Sequence, residues 1–521
     1  TSKRAAIESL TFWQINLQHA KLAVDTLLSS VCRLQTLPVL FVQEPYLFRG
    51  VPKLALPNYT IYSNKNSRSL IAVPRYLSSW SMPNLSDRDI VTIILEDTND
   101  KYLMISAYLD ITLDSVIPKK LAEACSFANK NNMKILVCLD SNSHSTLWGC
   151  EVNNKRGDIL EEWILQENLS IVNKGNAKTF ISAVGSSIID ITLCSPGLLK
   201  DITDWCVVPE FQFSDHRKIT FQLNFSHSRV VKSRSLKKTD WILFRKYTKS
   251  PKMQEPLQWD QLELDCMVEK LTNKINKALD VACPIKEFKI SNKPVKWWSA
   301  DLEQMKKVVR RHHRAWCNKK NENNFFKYKS SLREYRNAVK TAKIECWESF
   351  SSSLQDIKSF SKVNKSLTNS KSGMVGMLNT DSGVTKNGSE VLEVRMDCHF
   401  PGSLSTIPKL TSTPSPGKIG NNFIKTANYL TFITNEKVKE AFKSFGSLKA
   451  AGPDGFKPIV LQNLDDDTID IIVVIYKACL ALGLNPKAWC QSKVIFIPKI
   501  GKDCYDSVKS MRDQVSIKIQ R

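Results

Sequence analysis

Six stretches in the first 226 residues place polar side chains at the ends of strand-like runs, where they suit metal-assisted phosphate chemistry. They hold Asn16 in QINLQ, Glu44 in VQEP, Tyr108 in SAYLD, Asp140, Asn142 and His144 in CLDSNSH, Asp190 in IIDIT, and Ser214, Asp215 and His216 in FSDHR. Mg²⁺ prefers hard oxygen ligands and keeps several waters, so one or two carboxylates can hold it beside a phosphate. The pattern predicts such a site, with Glu44 as the metal ligand.

Acid–base groups are the second part of the pattern. An imidazole beside a phosphate can donate a hydrogen bond or act as general acid or base when a carboxylate fixes its orientation. His216 suits this role, with Asp190 to orient it, while Asp140 is placed to accept a proton from the attacking water and Asn142 to hydrogen-bond a phosphate oxygen. Each short motif alone is more often a buried, capped carboxylate. Only the whole set indicates phosphoester hydrolysis.

The segments that carry these residues alternate between strand-like and helical patterns. The strand-like runs are FWQINL, VLFVQEP, YTIYSN, SLIAVP, DIVTIILED, YLMISAYLD, KILVCLDSN, SIIDITLCS and KITFQLNF. Helices are predicted at AKLAVDTLLSSVCRL, PKKLAEACSFANKN and KRGDILEEWILQEN. Strands that alternate with helices predict a layered domain of both element types over residues 10–226.

Composition points to a polyanionic partner. The 521 residues contain 74 Lys and Arg against 51 Asp and Glu, a net charge of +23, which predicts nucleic acid as the first candidate and an anionic membrane surface as the second. The 14 cysteines form no C-x-x-C pair, which excludes the usual zinc modules and fits a reducing, intracellular compartment. No apolar run reaches about 18 residues, so no membrane-spanning helix is expected. Neither a membrane nor a small-molecule cofactor is among the partners that we expect.

The remainder of the chain divides into a basic helical part, a linker and a third ordered segment. Residues 241–350 are predicted to be helical, with aromatic residues among many Lys and Arg. Such a surface suits a nucleic-acid strand, for which the candidate contacts are Arg310, Arg311, Arg314 and Trp316. A solvated basic face over an aromatic core stripe explains the same spacing equally well. Residues 351–425 are rich in Ser, Thr, Asn, Gly and Pro and are predicted to be a flexible linker before the segment 426–521.

In this order, the site residues resemble those of the endonuclease/exonuclease/phosphatase superfamily over residues 10–226. The resemblance implies an α+β fold, a four-layer α/β sandwich of two sheets flanked by helices, with the active site at one edge. It implies Glu44 as the principal ligand of Mg²⁺, with Mn²⁺ as an alternative ion, and Asn16 and Asp215 close to the metal. Tyr108 would contact the phosphate.

The resemblance also implies the roles of the remaining residues. Asp140 and Asn142 would handle the nucleophile and the phosphate, and the Asp190–His216 pair would act on the transition state. Thr192 is expected to support Asp190 by hydrogen bonding, and His144 and Ser214 are further supporting candidates. One departure is Leu139, where the family usually has Gly. Because Gly permits backbone angles that Leu resists, the turn that carries Asp140 is expected to be shifted.

Finer features resemble the endonuclease domain of non-LTR (LINE-type) retrotransposon polyproteins. They are LQHAK, VQEPYLFRG, LSDRDIV, ISAYLDIT and SNSHSTLWG. The basic segment from WWSADLEQMKKVVRR to YRNAVKTAKIECWESF resembles the part that joins endonuclease to polymerase in that family. KAAGPDGFKPIVLQ and VIFIPKIGKDCYDSVKSMR resemble the first motifs of the reverse-transcriptase fingers, so residues 426–521 are expected to be a truncated reverse-transcriptase domain.

The resemblance implies a Mg²⁺-dependent endonuclease that nicks target DNA and leaves a 3′-hydroxyl, which primes reverse transcription in an intact element. The polymerase palm needs paired aspartates to bind two metals, in that family within Y/F-A-D-D, and no such motif occurs, so we expect a truncated or frame-disrupted copy without polymerase activity. The expected partners are DNA and, in an intact copy, the element RNA. The expected location is the nucleus, with cytoplasmic assembly. The alternatives are a phosphatase or phosphodiesterase of the same fold, and a non-catalytic nucleic-acid-binding relic.

Overall fold

A computed structural model describes most of residues 8–490. The gaps within this range are 98–99, 183, 226–231, 250–252, 284–285, 288–295, 355, 358, 362, 364–375, 382, 386–387, 402–417 and 428–429. The second of the two polymerase-like motifs, residues 494–512, lies outside the described part of the chain. The described residues form two compact units, of which the first contains 8–225 and 296–394 and the second contains 232–287 and 395–490.

Sixteen strands carry residues 8–225, and twelve of them form two large sheets. In chain order the strands are β1 (Glu8–Asn16), β2 (Val39–Gln43), β3 (Leu47–Phe48), β4 (Val51–Pro52), β5 (Tyr59–Tyr62), β6 (Ser69–Pro74), β7 (Ser78–Ser81), β8 (Ile90–Glu96), β9 (Lys101–Tyr108), β10 (Lys134–Asp140), β11 (Ser170–Ile171), β12 (Phe180–Ile181), β13 (Ser186–Ser187), β14 (Asp190–Cys194), β15 (Ile202–Val207) and β16 (Ile219–Phe225). Every run predicted to be a strand contains one.

Helices of the described part follow the same chain order. They are α1 (Lys21–Val31), α2 (Lys119–Lys130), α3 (Lys155–Gln166), α4 (Pro196–Leu199), α5 (Trp241–Lys249), α6 (Gln261–Ala282), α7 (Ala300–Asn318), α8 (Glu322–Ser352), α9 (Gly388–His399), α10 (Asn421–Thr426), α11 (Asn435–Lys443), α12 (Pro458–Leu461) and α13 (Asp466–Leu482). The first three match the predicted helices. No helix among the described residues is both long and apolar enough to cross a membrane.

The two sheets have the same local plan, with one parallel pair in each. The strand order is β15-β16-β1-β2-β6-β5 in the first sheet and β11-β14-β10-β9-β8-β7 in the second. The pairs β1–β2 and β9–β10 are parallel, and helices α1 and α2 provide the crossovers that parallel neighbours require. In each sheet, two neighbouring strands therefore end side by side at their carboxyl ends.

The sheets pack face to face and helices cover both outer faces. The alternating side chains Phe221 and Leu223 of β16 are buried between the sheets with residues such as Phe12. Helices α2 and α3 pack on the second sheet, where Leu121 and Leu160 are fully buried, and α1 packs on the first. This is the predicted four-layer sandwich of the endonuclease/exonuclease/phosphatase type, and the fold prediction is confirmed.

Helices α7 and α8 form a hairpin that belongs to the same compact unit. Ser299 caps α7 by accepting a hydrogen bond from the backbone N–H of Leu302, as Ser does at helix starts. Tyr335 of α8 is fully buried and packs against Phe213, with ring centroids 5.2 Å apart. Phe213 and Tyr335 belong to the same hydrophobic cluster as the buried residues of α1 and the first sheet. The hairpin therefore extends the helical layer on the first sheet.

The second unit is helical, with a core of residues from α5, α6 and α10–α13. In the GPDG turn, Gly455 has φ +78°, and the Asp454 carboxylate accepts a hydrogen bond from the N–H of Phe456. The acids of NLDDDTID lie at the start of α13, where Asp465 accepts a hydrogen bond from the N–H of Thr468. Negative charge is favourable at a helix N-terminus, so these acids have a structural explanation. The polymerase interpretation of this unit stays a prediction.

Candidate active site

Strand ends bring the predicted site residues to one edge of the sandwich. Asn16 is the last residue of β1 and Glu44 directly follows β2, its parallel neighbour. Tyr108 and Asp140 are the last residues of the second parallel pair, β9 and β10, and are directly opposite each other in its register. Asp190 opens β14 and faces Asp140. The sheet topology alone therefore gathers residues that lie up to 174 positions apart in the sequence.

His216 lies between two buried carboxylates. Its Nδ1 is 2.9 Å from Oδ2 of Asp190, and its Nε2 is 3.8 Å from Oδ2 of Asp140. Burial alone would lower the pKa of His216, but the Asp190 and Asp140 carboxylates outweigh it and raise the pKa to about 9. At neutral pH His216 is therefore an imidazolium whose Nδ1–H donates to Asp190, with Nε2 directed toward Asp140.

Asp140 is held as a potential proton acceptor. Its Oδ2 accepts a hydrogen bond of 2.8 Å from Nδ2 of Asn16, and its Oδ1 accepts one of 3.2 Å from the N–H of Asn142. Burial raises the pKa of Asp140 above that of an ordinary aspartate, although the charge of His216 opposes this. A buried carboxyl with a raised pKa binds a proton more readily, which is the property that a general base needs.

Asn142 and Tyr108 flank this pair. Asn142 has φ +46°, a conformation that Asn tolerates, and its Nδ2 donates to the carbonyl of Leu109 at 3.0 Å. The guanidinium of Arg68 lies 4.6 Å from the centre of the Tyr108 ring. Burial, followed by the negative charges of Glu44 and Asp140, raises the pKa of Tyr108 to about 12. Tyr108 therefore keeps its proton at neutral pH and can donate a hydrogen bond to a phosphate.

Glu44 occupies a strained backbone position at the same edge. It has φ +46°, unusual for Glu, and two backbone hydrogen bonds hold it there, from its N–H to Arg68 O at 2.7 Å and from the N–H of His19 to its carbonyl at 2.8 Å. Its half-buried carboxylate lies 3.7 Å from Nε2 of His19. No Lys or Arg within the described part of the chain forms an ion pair with Glu44.

The donor set fits a hard divalent cation. Glu44 supplies a carboxylate without a Lys or Arg partner in the described residues, and Asn16 supplies an amide oxygen that accepts one hydrogen bond, from the N–H of Gln18 at 2.8 Å. The Asp215 carboxylate is 3.3 Å from Nε2 of Gln18. Ligand atoms of Asp140, Asp190 and His216 also lie within 4.8 Å of one another. Because Nδ1 of His216 already donates to Asp190, that second group suits proton transfer better than metal binding.

The predicted roles of two supporting residues differ in their outcome. Ser214 connects the site to β1, because its hydroxyl donates to the Asn16 carbonyl at 2.7 Å and accepts from the N–H of His216 at 3.2 Å. The backbone N–H of His144 donates to the Asn154 side chain, which caps α3. The supporting role of the His144 ring therefore stays a prediction.

The expected support of Asp190 by Thr192 is wrong. The Thr192 hydroxyl donates to Oε1 of Gln14 at 2.9 Å and accepts from Nε1 of Trp205 at 3.1 Å. Residues two apart in a strand, such as Asp190 and Thr192, point to the same face. The Thr192 hydroxyl nevertheless forms its hydrogen bonds inside the sandwich and not with the Asp190 carboxylate. Thr179 takes that role, because its hydroxyl accepts hydrogen bonds from the N–H groups of Ile189 and Asp190 at 3.0 and 3.1 Å.

The shift expected from Leu139 is also wrong. Leu139 lies within the regular strand β10, opposite Ile191, and its side chain is fully buried in the core under α2 and α3. It does not adopt a positive φ, and Asp140 keeps its register opposite Asp190. The left-handed residue of this turn is Asn142, so a glycine at 139 is not needed for the conformation.

Restoring the family's glycine at Leu139 is therefore expected to destabilise the protein and not to improve catalysis. Leu139→Gly removes a fully buried side chain and loosens a strand, which should lower the free energy of unfolding of this unit by about 3–5 kcal/mol. Chemical denaturation of the full chain measures it, with Leu139→Met, expected to cost less than about 1.5 kcal/mol, as the matched control. A glycine variant as stable as the wild type would contradict this assignment.

Two buried glutamine side chains hold the two sheets together beneath the strand ends that carry the site. The sequence pattern did not single them out. Nε2 of Gln14 donates to the Leu139 and Ile191 carbonyls at 3.1 and 3.3 Å, which links the first sheet to the second. Nε2 of Gln43 similarly donates to the Cys138 carbonyl at 3.1 Å. Gln14 is in phase with Phe12 and Asn16 along β1, so alternation could have identified it as inward-facing. Arg68 gives no comparable signal, because its partners Asp89 and Asp110 are set by the tertiary fold.

Of the four basic-segment candidates, two are used for packing. Nε of Arg310 donates to the Phe211 carbonyl at 2.9 Å, and Trp316 stacks on Tyr328 with centroids 5.6 Å apart and an interplanar angle of 5°. The Trp316 ring is thus part of the hairpin's aromatic stripe. Arg311 and Arg314 are exposed.

Comparisons with known proteins agree with this geometry. Residues 102–220 match a protein family described as endonuclease-reverse transcriptase. The chain is 22% identical over 396 residues to the Pol polyprotein of the type-1 retrotransposable element R1 of Bradysia coprophila, which covers 71% of this chain and 38% of that protein. It is 21% identical over 485 residues to a putative 115 kDa protein of the element R1DM of Drosophila melanogaster, covering 88% of this chain and 46% of that protein.

Solved structures give weaker matches. The endonuclease domain of TRAS1, a telomere-specific non-LTR retrotransposon, is 24% identical with a TM-score of 0.37, covering 42% of this chain and all of that chain. The AP endonuclease LMAP of Leishmania major is 11% identical with a TM-score of 0.35, covering 42% of this chain and 88% of that chain.

The four-layer fold and the edge site are those that the endonuclease/exonuclease/phosphatase resemblance implies. The chain that carries them is similar to the polyproteins of non-LTR retrotransposons, and the resemblance predicted from the sequence is confirmed. The chain spans less than half the length of the curated relatives named above.

Proposed function

We propose that the protein is a Mg²⁺-dependent DNA endonuclease that nicks one strand and leaves a 3′-hydroxyl. In an intact element this hydroxyl would prime reverse transcription of the element RNA. The observation that carries the proposal is the buried Asp190–His216–Asp140 set, with distances of 2.9 and 3.8 Å, beside the Glu44 carboxylate. The net charge of +23 favours DNA over a small phosphoester as the substrate.

In the proposed reaction, the chain's own residues bind, orient and move protons. Asp140 takes a proton from the attacking water, whose oxygen forms a bond to phosphorus, and later releases that proton to solvent. The bond from phosphorus to the 3′ oxygen breaks, and that oxygen departs with the electron pair and takes a proton from solvent water to become the hydroxyl. The Nε2–H of His216 donates to a non-bridging phosphate oxygen, where negative charge develops, while Asp190 holds the imidazolium in place.

Glu44 would hold the metal, with Asn16 and Asp215 nearby, and Mn²⁺ is an alternative to Mg²⁺. When bound, the ion would neutralise charge on the phosphate and on the departing oxygen. Asn16 also keeps Asp140 in position through its 2.8 Å hydrogen bond, and Tyr108 and Asn142 border the place where the phosphate would lie.

We assign no polymerase step to these 521 residues, because they contain no Y/F-A-D-D aspartates. The element RNA as a partner and a nuclear location are part of the same proposal.

Plasmid nicking by the full chain tests the proposal. Supercoiled DNA should be converted to open circles with Mg²⁺ or Mn²⁺ but not with EDTA, and a DNA polymerase should extend the nick directly, since its end is a 3′-hydroxyl. Faster hydrolysis of small phosphoesters than of DNA would indicate a phosphatase instead. DNA binding without nicking under any of these ions would indicate a non-catalytic relic.

A further inference from the structure

A cavity of about 430 Å³ lies between the loop that carries His216 and helix α7. The catalytic loop contributes Asp215, His216 and Arg217 to its lining, and α7 contributes Arg310 and Arg314. All of these residues belong to the same compact unit. The helix therefore forms one wall of a space that opens on the catalytic histidine.

Three arginines and one carboxylate, that of Asp215, line the cavity, so positive charge is in excess there. None of its three guanidinium groups forms an ion pair with a carboxylate in the described part of the chain. Arg217 and Arg310 are both partly buried. Nε2 of Gln18 lies 3.3 Å from Oδ2 of Asp215, the carboxylate of the lining. Partly buried, unpaired cations call for an anionic ligand.

Helix α7 is fixed firmly enough to act as a wall. His313 stacks on Phe211, with centroids 3.8 Å apart and an interplanar angle of 14°. Burial, with the charge of Arg217, lowers the pKa of His313 to about 4, so the imidazole is neutral near pH 7 and serves packing. The hydrogen bond from Arg310 to the Phe211 carbonyl adds a polar contact. This leaves Arg217 and the exposed Arg314 as the cations available to a ligand.

We propose that helix α7 completes the DNA-binding face of the nuclease, with Arg217 and Arg314 binding backbone phosphates beside the phosphate that His216 contacts. The inference rests on the proposed function, in which the occupant of the site is DNA. The phosphates of a DNA strand follow one another along its backbone. If a DNA strand runs through this cavity with one phosphate at His216, its neighbouring phosphates must therefore pass Arg217 and Arg314. These contacts fix the register of the DNA without reading its sequence.

Salt-dependent DNA binding by the full chain tests the assignment. The protein is titrated in EDTA with a labelled duplex at several salt concentrations, for the wild type, Arg314→Ala, Arg217→Ala and the double variant. Each lost phosphate contact should reduce the slope of log K against log salt by about 0.9, and the double variant should bind about tenfold more weakly. Arg333→Ala, which removes an exposed arginine from α8, is the control and should leave both quantities unchanged.

Cleavage assays separate this inference from the proposed function. If the wild type nicks DNA, the two variants should raise KM far more than they change kcat. Reduced slopes together with a wild type that never nicks would sustain the binding surface and reject the endonuclease. Unchanged slopes and affinities in both single variants and the double variant, with nicking intact, would overturn the role of α7.

Discussion

His216→Ala is expected to slow Mg²⁺-dependent nicking by about 10²–10⁴-fold, the usual contribution of a positioned acid–base group. The reason is the loss of the Nε2–H that stabilises the phosphate and of the cation that compensates Asp140 and Asp190. DNA binding should be nearly unchanged, since the surface arginines remain. His312→Ala, which removes a histidine that contacts Ser331 of the hairpin, is the matched control and should nick normally. Equal cleavage by the wild type and His216→Ala would refute the site.

The pH dependence of nicking tests the same histidine without removing it. The folded pKa of His216 is raised to about 9, so the imidazolium persists through neutral pH and nicking should fall as the pH rises through about 9. Asp190→Asn removes the carboxylate that contributes most to raising this pKa, so that burial, which lowers it, is opposed only by the weaker effects of Asp140 and Glu44. The alkaline fall should then move to lower pH. A profile that does not move would show that His216 is not the group that titrates.

The sequence predicts where a candidate site residue lies when that residue is at a strand end, although its role stays a prediction. Asn16, Tyr108 and Asp140 end strands of the two parallel pairs and Glu44 directly follows the fourth, and within each pair parallel topology brings such ends together whatever the intervening loop contains. Burial of the alternating side chains of β16 follows in the same way from the period of two.

Contacts between distant segments could not be predicted in this way. Thr179 and Thr192 are both hydroxyl residues near Asp190 in the sequence, and local reasoning favours the nearer one. The β12 segment determines which threonine contacts Asp190. Its Phe180 forms a β-bridge with His216, and this pairing places Thr179 against the start of β14. Leu139 is a similar case, because only the register of β10 shows that it is a core residue.

The docking of α7 shows why the basic segment gave two explanations. Its spacing fits a nucleic-acid surface and an aromatic core stripe equally well; the structure contains the aromatic stripe, and the nucleic-acid surface stays a proposal. Trp316 and His313 pack inward, whereas Arg314 faces the cavity beside His216. Helical periodicity separates the faces of a helix, but it does not say which part of the protein each face meets.

Removal of the Glu44 carboxylate is expected to eliminate the response of nicking to Mg²⁺. The Glu44 carboxylate has no Lys or Arg partner in the described residues, and Nε2 of His19 lies 3.7 Å from it. Glu44→Gln is the better substitution, because it keeps the shape of the side chain at φ +46° and removes only the charge. A single carboxylate at a metal site of few protein ligands supplies much of the binding energy, so nicking should fall by about 10³-fold or more and calorimetric titration with Mg²⁺ should lose its heat.

The matched control for Glu44 uses the geometry of the second sheet. Glu96 is the last residue of β8 and pairs with Lys101, the first residue of β9. Because Tyr108 is the last residue of β9, Glu96 lies at the far edge of the sheet from the site. Glu96→Gln removes the same charge from the same domain and should leave both Mg²⁺ binding and nicking unchanged. If Glu44→Gln still bound Mg²⁺ and nicked at the wild-type rate, the metal would have to be held elsewhere. The buried Asp140, Asp190 and His216 group would then be the remaining candidate in the described residues, and His216 could no longer act as an imidazolium while it coordinates the ion.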